Sequence, residues 1–215
     1  MIFNIKHKTI FKYDNPPLSA IQKLRLTPRN DINQKILNWD IDIKGCSIEL
    51  DTYDYHDNRI HLCRTKDDIN EIEITSYGRL KIKDTNGIVG EHKSNIPIEL
   101  FKFMSTDYTK PGKKIKALVS YFKNLFKREN LSDLEKLNLL SKKILNEVKY
   151  LKGKTSTKTS AEDSLGLGFG VCQDHVHIFL SSARLLGFPS RYVSGYLMLN
   201  NTNIQEASHA WAEVY

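Results

Sequence analysis

A single cysteine in the second half of the sequence follows a run of glycines and precedes an apolar periodicity. The stretch 166–196 reads GLGFGVCQDHVHIFLSSARLLGFPSRYVSGY, with Cys172 directly behind the glycines. Apolar residues then recur at three- and four-residue steps, which predicts a helix with one buried face, ended by the GFP triplet. A thiol attacks carbonyl carbons as its thiolate, and the first turn of a helix stabilises that negative charge. The spacing therefore favours Cys172 as a nucleophile.

Two other interpretations of Cys172 need no catalysis. A glycine-rich turn before a helix can cradle a phosphate, but this loop lacks the Lys-Ser/Thr ending of a P-loop and no strand clearly precedes it. A free cysteine is also commonly a small buried apolar residue. Position alone leaves the nucleophilic and the buried interpretation open.

A histidine on a later element supplies the partner that a nucleophilic thiol needs. Residues 207–215 read ASHAWAEVY, and their alternation predicts a strand that starts near His209. A general base on a different element can approach the sulfur across space, as in thiol–imidazole pairs. Cys172 and His209 are therefore the candidate catalytic residues, as the nucleophile and the base of a thiol–imidazole pair.

The segments GVCQD, LLGFPSRYVSGYL and ASHAWAEVY resemble, in this order and spacing, the core of the transglutaminase-like superfamily, in particular its bacterial cysteine-protease-like branch. The resemblance covers residues 159–215. It implies a papain-like α+β core with Cys172 as nucleophile, His209 as base, and an aspartate on the next strand that orients the imidazole. Because the sequence ends at Tyr215, we expect a truncated core, a fragment whose orienting aspartate is encoded further on.

Residues 1–100 have the composition of a β-rich domain. Alternating apolar segments, clearest at residues 69–83, are separated by turn signals every 8–12 residues, which predicts an antiparallel sandwich or small barrel. The segment LRLTPR and the closing strand resemble the N-terminal β-domain that precedes the core in bacterial transglutaminase-like proteins. The fold class expected for the whole chain is therefore α+β.

Helices are predicted between the β-rich part and the glycines. We expect a linker at 101–112 and an incomplete catalytic core at 113–215, which opens with amphipathic helices at 113–129 and from Ser132 to about residue 150. Ser132 is a candidate N-cap with an acid three residues on, and Ser160 a second one, leading into the glycines.

Several side chains close to Cys172 could take part in its chemistry. His175 lies one helical turn away and is the alternative base, His177 is assigned to packing, and Asp174 suits the first turn of a helix for structural reasons. Successive helical residues rotate by about 100°, so these histidines and the thiol do not converge on a metal, and no cofactor is expected. The backbone N–H of Cys172 is the natural first oxyanion donor, whereas no residue type identifies the second.

Composition and charge argue against membrane, secreted, disulfide-rich and nucleic-acid-binding proteins. The chain of 215 residues is 40% hydrophobic and 27% charged and contains no apolar run of membrane-spanning length. No secretory signal pattern opens it, so we expect a cytoplasmic protein without a membrane partner. Its three cysteines do not form a disulfide framework. The net charge of +7 comes mainly from lysines at 102–158, which we interpret as solvated helix faces rather than a specific nucleic-acid site.

The expected function is thiol-dependent hydrolysis of a peptide or protein amide, through a thioester on Cys172 with His209 as the base. Two alternatives stay open. The same thioester could pass its acyl group to an amine, which is transamidation, or the chain could be a catalytically silent binding or scaffold module. The sequence leaves the oligomeric state open.

Overall fold

The chain forms two compact units in a computed structural model that describes residues 1–92, 95–103, 105–199, 204–205 and 207–215. The units are Met1–Ile96 and Pro97–Tyr215. The sequence places the end of the first domain at residue 100 and a linker at 101–112. In the structure a short 3₁₀ helix, Ile98–Lys102, opens the second unit, and its Phe101 is fully buried. Met104, inside the predicted linker, lies outside the described residues.

Two antiparallel sheets make up the first unit. One has the order β1-β6-β3 and the other the order β2-β5-β4. The strands are β1 Ile2–Lys12, β2 Ile21–Leu24, β3 Gln34–Lys44, β4 Cys46–Tyr53, β5 Arg59–Thr65 and β6 Glu71–Ile82. One core cluster joins Leu24, Cys46 and Cys63 of the second sheet to Ile72 and Ile74 of the first. The sheets therefore face each other as a sandwich.

The second unit packs helices around one buried helix. Its elements are α1 Lys113–Arg128, α2 Asp133–Glu147, β7 Lys149–Tyr150, α3 Ala161–Leu167, β8 Phe169–Gly170, α4 Cys172–Leu185, β9 Ser190–Gly195 and β10 His209–Val214. α4 contacts α1, α2 and α3 on one side and the antiparallel pair β9–β10 on the other. Its Ile178 and Ala183 lie in the main helical core, whereas Val176 and Leu180 pack against Ala210 of β10.

Local caps set where the helices begin. The predicted caps at Ser132 and Ser160 are confirmed, each as a capping box with the acid three residues on. α1 has no cap of its own. Instead the Glu162 carboxylate of α3 accepts hydrogen bonds from the N–H groups of Gly112, Lys114 and Ile115 at 2.7–3.1 Å. This carboxylate ties α3, and with it the glycines that follow, to the helical core.

The α+β fold class is confirmed: antiparallel sheets come first, and helices packed on an antiparallel strand pair follow. Among the residues described, no helix combines the length and the apolar character that crossing a bilayer requires.

Candidate active site

The glycine loop delivers the chain to the first residue of α4. α3 ends at Leu167, and the φ of 73° at its C-cap, Gly168, is left-handed and suits a residue without a Cβ. Phe169 and Gly170 then run parallel to Lys149 and Tyr150, and Val171 is the extended N-cap of α4. Cys172 is therefore the first helical residue, where the sequence predicts it.

A buried carboxylate closes this turn. Asp174, only 1% exposed, accepts hydrogen bonds on Oδ2 from the Val171 N–H at 2.8 Å and from the Thr155 hydroxyl at 2.7 Å. Its other oxygen, Oδ1, has no hydrogen-bond partner among the described residues. Because the carboxylate is enclosed, Asp174 holds the backbone that carries the thiol and does not face a substrate.

Gly170 is required by close packing rather than by an unusual backbone angle. A Cβ at this position would lie 2.6 Å from Asp174 Cβ and 2.7 Å from Ser164 Oγ. The Ser164 hydroxyl in turn donates to the Phe169 carbonyl at 3.0 Å. The glycine therefore lets the loop press against the carboxylate that caps it.

The structure brings the elements of the two candidate catalytic residues together. Cys172 is partly buried and packs against the cluster that contains Ala210, the residue after His209. His209 opens β10 opposite Gly195, and its ring meets Trp211 edge-on, with centroids 4.7 Å apart. No hydrogen bond joins the Cys172 thiol to the His209 ring, both of which the structure describes. Catalytic hydrogen bonds are often long without substrate and tighten in the complex, so the lack of this bond is compatible with a dyad.

His175, the alternative base, faces away from the thiol. Its Nδ1 lies 3.0 Å from the Val171 carbonyl oxygen and its Nε2 lies 2.8 Å from the Val148 carbonyl oxygen. Its ring also stacks on Tyr150. Since both nitrogens are turned to backbone carbonyls, His175 ties the end of α2 to the N-cap of α4 and does not reach for a proton of Cys172.

His177 is buried in an aromatic stack, in agreement with the packing role that the sequence assigns to it. Its ring lies 5.6 Å from the ring of Tyr108 and 5.5 Å from that of Tyr192, measured between centroids. Burial lowers the pKa of His177, against the opposing effect of the Asp174 carboxylate. Nδ1 has no hydrogen-bond partner within the described ranges. The His177 ring is therefore uncharged at neutral pH and contributes by packing.

This burial makes the stability of the second unit depend on pH. Because the folded-state pKa of His177 lies below that of an unfolded histidine, about 6.5, the unfolded chain binds the proton more readily below that pH. We expect the free energy of unfolding to be fully retained above pH 6.5 and to fall as the pH drops below it. Urea unfolding at each pH, followed by Trp211 fluorescence in a Trp39→Phe background, measures this free energy. His177→Phe, which keeps the aromatic stack, should lose less stability between pH 7.5 and 5.5; an equal loss would contradict this assignment.

Two other features lie apart from the thiol. An open cleft of about 620 Å³ near the C-terminal end of α4 is lined by Lys102, Lys123, Lys127 and Lys136 together with Phe188 and Tyr215, and neither a cysteine nor a histidine lines it. In the described part of the chain, no group of three His, Cys, Asp or Glu side chains could hold a metal ion.

Fold and site together define a class of protein: a papain-like α+β unit with a thiol at the N-terminus of a buried helix and a histidine at the start of a strand packed on that helix. Residues 120–215 match the model of the transglutaminase-like superfamily, and residues 3–81 match that of the bacterial transglutaminase-like N-terminal region. Both matches are transglutaminase-like, and together they span most of the chain.

Similar proteins span nearly all of this chain. An uncharacterized protein of Mycobacterium leprae is 24% identical over 223 residues, which are 98% of this chain and 78% of the relative. One of Mycobacterium bovis is 24% identical over 230 residues, or 99% and 73%. The crystal structure of a cysteine-protease candidate from Cytophaga hutchinsonii matches with a TM-score of 0.73 at 17% identity, over 100% of this chain and 75% of that one. This structural likeness supports the fold.

Proposed function

We propose that the protein is a cysteine hydrolase that cleaves the amide bonds of peptides or proteins in the cytoplasm. The observation that carries the proposal is the position of Cys172: it begins a buried helix, behind a glycine turn held by Asp174, beside the strand that opens with His209. The superfamily match over residues 120–215 supports the same assignment.

In the proposed reaction the Cys172 sulfur attacks the carbonyl carbon of the substrate, and the electron pair of the C=O double bond moves to oxygen. His209 takes the thiol proton and returns it to the leaving amine as the C–N bond breaks. The resulting thioester is then hydrolysed by water. The backbone N–H of Cys172, which lies in the first turn of α4, donates to the oxyanion.

Hydrolysis is favoured over transfer to an amine by one comparison. The similar protein of Cytophaga hutchinsonii is a candidate cysteine protease, and this supports water as the acyl acceptor here. Transamidation would use the same thioester with an amine in place of water, so product analysis with and without added amine separates the two outcomes.

Alkylation with iodoacetamide tests whether the thiol is activated. Burial raises the pKa of the Cys63 thiol to about 11 and raises that of Cys46, so both serve as internal references. We expect Cys172 to be labelled faster than both reference thiols at neutral pH. His209→Ala should slow this labelling about tenfold, because no imidazole then takes the thiol proton.

Mass spectrometry of the labelled peptides gives the three rates separately. His7→Ala, which removes a histidine from the β-sandwich, is the matched control and should leave the rate at Cys172 unchanged. If Cys172 reacts no faster than Cys46 and Cys63, and His209→Ala changes nothing, the chain lacks a working dyad and the interpretation as a silent binding module replaces the enzyme.

A further inference from the structure

One face of β9 turns toward the helix that carries the nucleophile. Ser190, Tyr192 and Ser194 alternate on this face, and Tyr192 lies opposite Ala212 in the antiparallel pair. Ala212 and Cys172 both pack against the cluster of Val176, Leu180 and Ala210. Tyr192 is therefore on the α4 side of the strand pair, in the same layer as the thiol.

The ring of Tyr192 is held in place by its neighbours. It packs on His177 at a centroid distance of 5.5 Å, and the ring of Tyr108 also stacks on that imidazole. The guanidinium of Arg184, near the end of α4, donates to the Ser190 carbonyl at 2.7 and 3.1 Å, which fixes the start of β9 against the helix. A ring anchored in this way gives its hydroxyl group a defined position.

Tyr192 is not enclosed, because 38% of its surface remains exposed. Burial of the rest of the side chain raises the pKa of Tyr192, and the charges of the Cys172 thiolate and the Asp174 carboxylate raise it further. Tyr192 and Cys172 both lie on the side of the strand pair that packs against α4. At neutral pH the phenol keeps its proton and is a hydrogen-bond donor beside the nucleophile.

We propose that the Tyr192 hydroxyl is the second oxyanion donor of this site, acting together with the backbone N–H of Cys172. The inference rests on the proposed function and adds to it a catalytic residue that lies outside the thiol–imidazole pair. When the sulfur–carbon bond forms, the electron pair displaced from the carbonyl gathers on oxygen. Tyr192 would stabilise that charge until the pair returns and the leaving group departs.

Two reactions of the same thiol separate this role from a packing role. Acylation by p-nitrophenyl acetate passes through an oxyanion before p-nitrophenolate leaves, whereas alkylation by iodoacetamide displaces iodide from a tetrahedral carbon and forms no oxyanion. Tyr192→Phe deletes the hydroxyl and keeps the ring on His177. It should slow acylation of Cys172 by about 10²-fold, the loss typical for one oxyanion donor, and leave alkylation unchanged.

Intact-protein mass spectrometry follows both adducts, with Tyr121→Phe on α1 as the matched control. Equal slowing of acylation and alkylation by Tyr192→Phe would mean that the ring only supports the thiol, and it would overturn the inference. If Tyr192→Phe changes neither rate, the inference about Tyr192 is also overturned, while the reactive thiol and the proposed function stand. If wild-type Cys172 reacts with neither reagent faster than Cys46 and Cys63, the proposed function itself fails and the role of Tyr192 fails with it.

Discussion

Replacement of Cys172 by alanine is expected to abolish acyl transfer, with a loss on the order of 10⁶-fold, the size seen when the nucleophile of a hydrolase is removed. No other described thiol can take its place, because Cys46 and Cys63 are buried in the β-sandwich. The helix should persist, since the cap at its start is the Asp174 carboxylate and does not involve the sulfur.

Release of amine from a panel of peptide amides, together with the mass of the acyl-enzyme, measures this loss. Cys46→Ala is the matched control: it removes a thiol from the first unit and should leave both readings intact. Amine release by Cys172→Ala at the wild-type rate would show that the chemistry occurs elsewhere.

Replacement of Asp174 by alanine is expected to cause the second large effect, on stability and on activity together. The substitution leaves the Val171 N–H and the Thr155 hydroxyl without their shared acceptor and opens a cavity beside the turn. Hydrogen bonds to charged groups are worth about 1.5–3 kcal/mol each, and the unpartnered Oδ1 offsets part of that sum. We expect a loss of about 2–3 kcal/mol in the free energy of unfolding.

Activity should fall further than stability alone explains. A turn displaced by about 1 Å moves both the thiol and its N–H, and a misplacement of that size can cost about 10²-fold in rate. Urea unfolding followed by Trp211 fluorescence and acylation by p-nitrophenyl acetate give the two readings. Asp174→Asn keeps the shape and one acceptor oxygen, so it should retain most of the stability. If Asp174→Ala has the free energy of unfolding and the acylation rate of the wild type, the carboxylate does not hold the turn.

The same contact can be tested from the side of the glycine. Gly170→Ala places a methyl group 2.6 Å from Asp174 Cβ, so the loop or the helix must shift, and overpacking of this kind typically costs about 1–3 kcal/mol. Gly166→Ala, within α3, is the matched control. A Cβ at Gly166 would meet the flexible end of the Lys114 side chain, at 3.2 Å. Equal effects of the two substitutions would contradict the assigned contact.

Much of the architecture is encoded locally in the sequence. The period of apolar residues after Cys172 and the GFP stop predict α4, and the alternation of ASHAWAEVY predicts β10. The capping boxes at Ser132 and Ser160 are likewise recognised within four residues. Each of these signals works because residues two positions apart in a strand, and three or four apart in a helix, lie on the same face.

The tertiary structure alone decided which side chains support the thiol. Thr155 reaches Asp174 from a loop without apolar periodicity, and His175, which the sequence offers as a second base, turns instead to the Val148 carbonyl at the end of α2. Tyr192 packs on His177 only because β9 folds back along α4. These contacts join residues that are 15 or more positions apart, where no local period applies. The candidate nucleophile and its place at the start of α4 could therefore be predicted from the sequence, whereas its supporting residues emerge only from the packing of α4 against the elements around it.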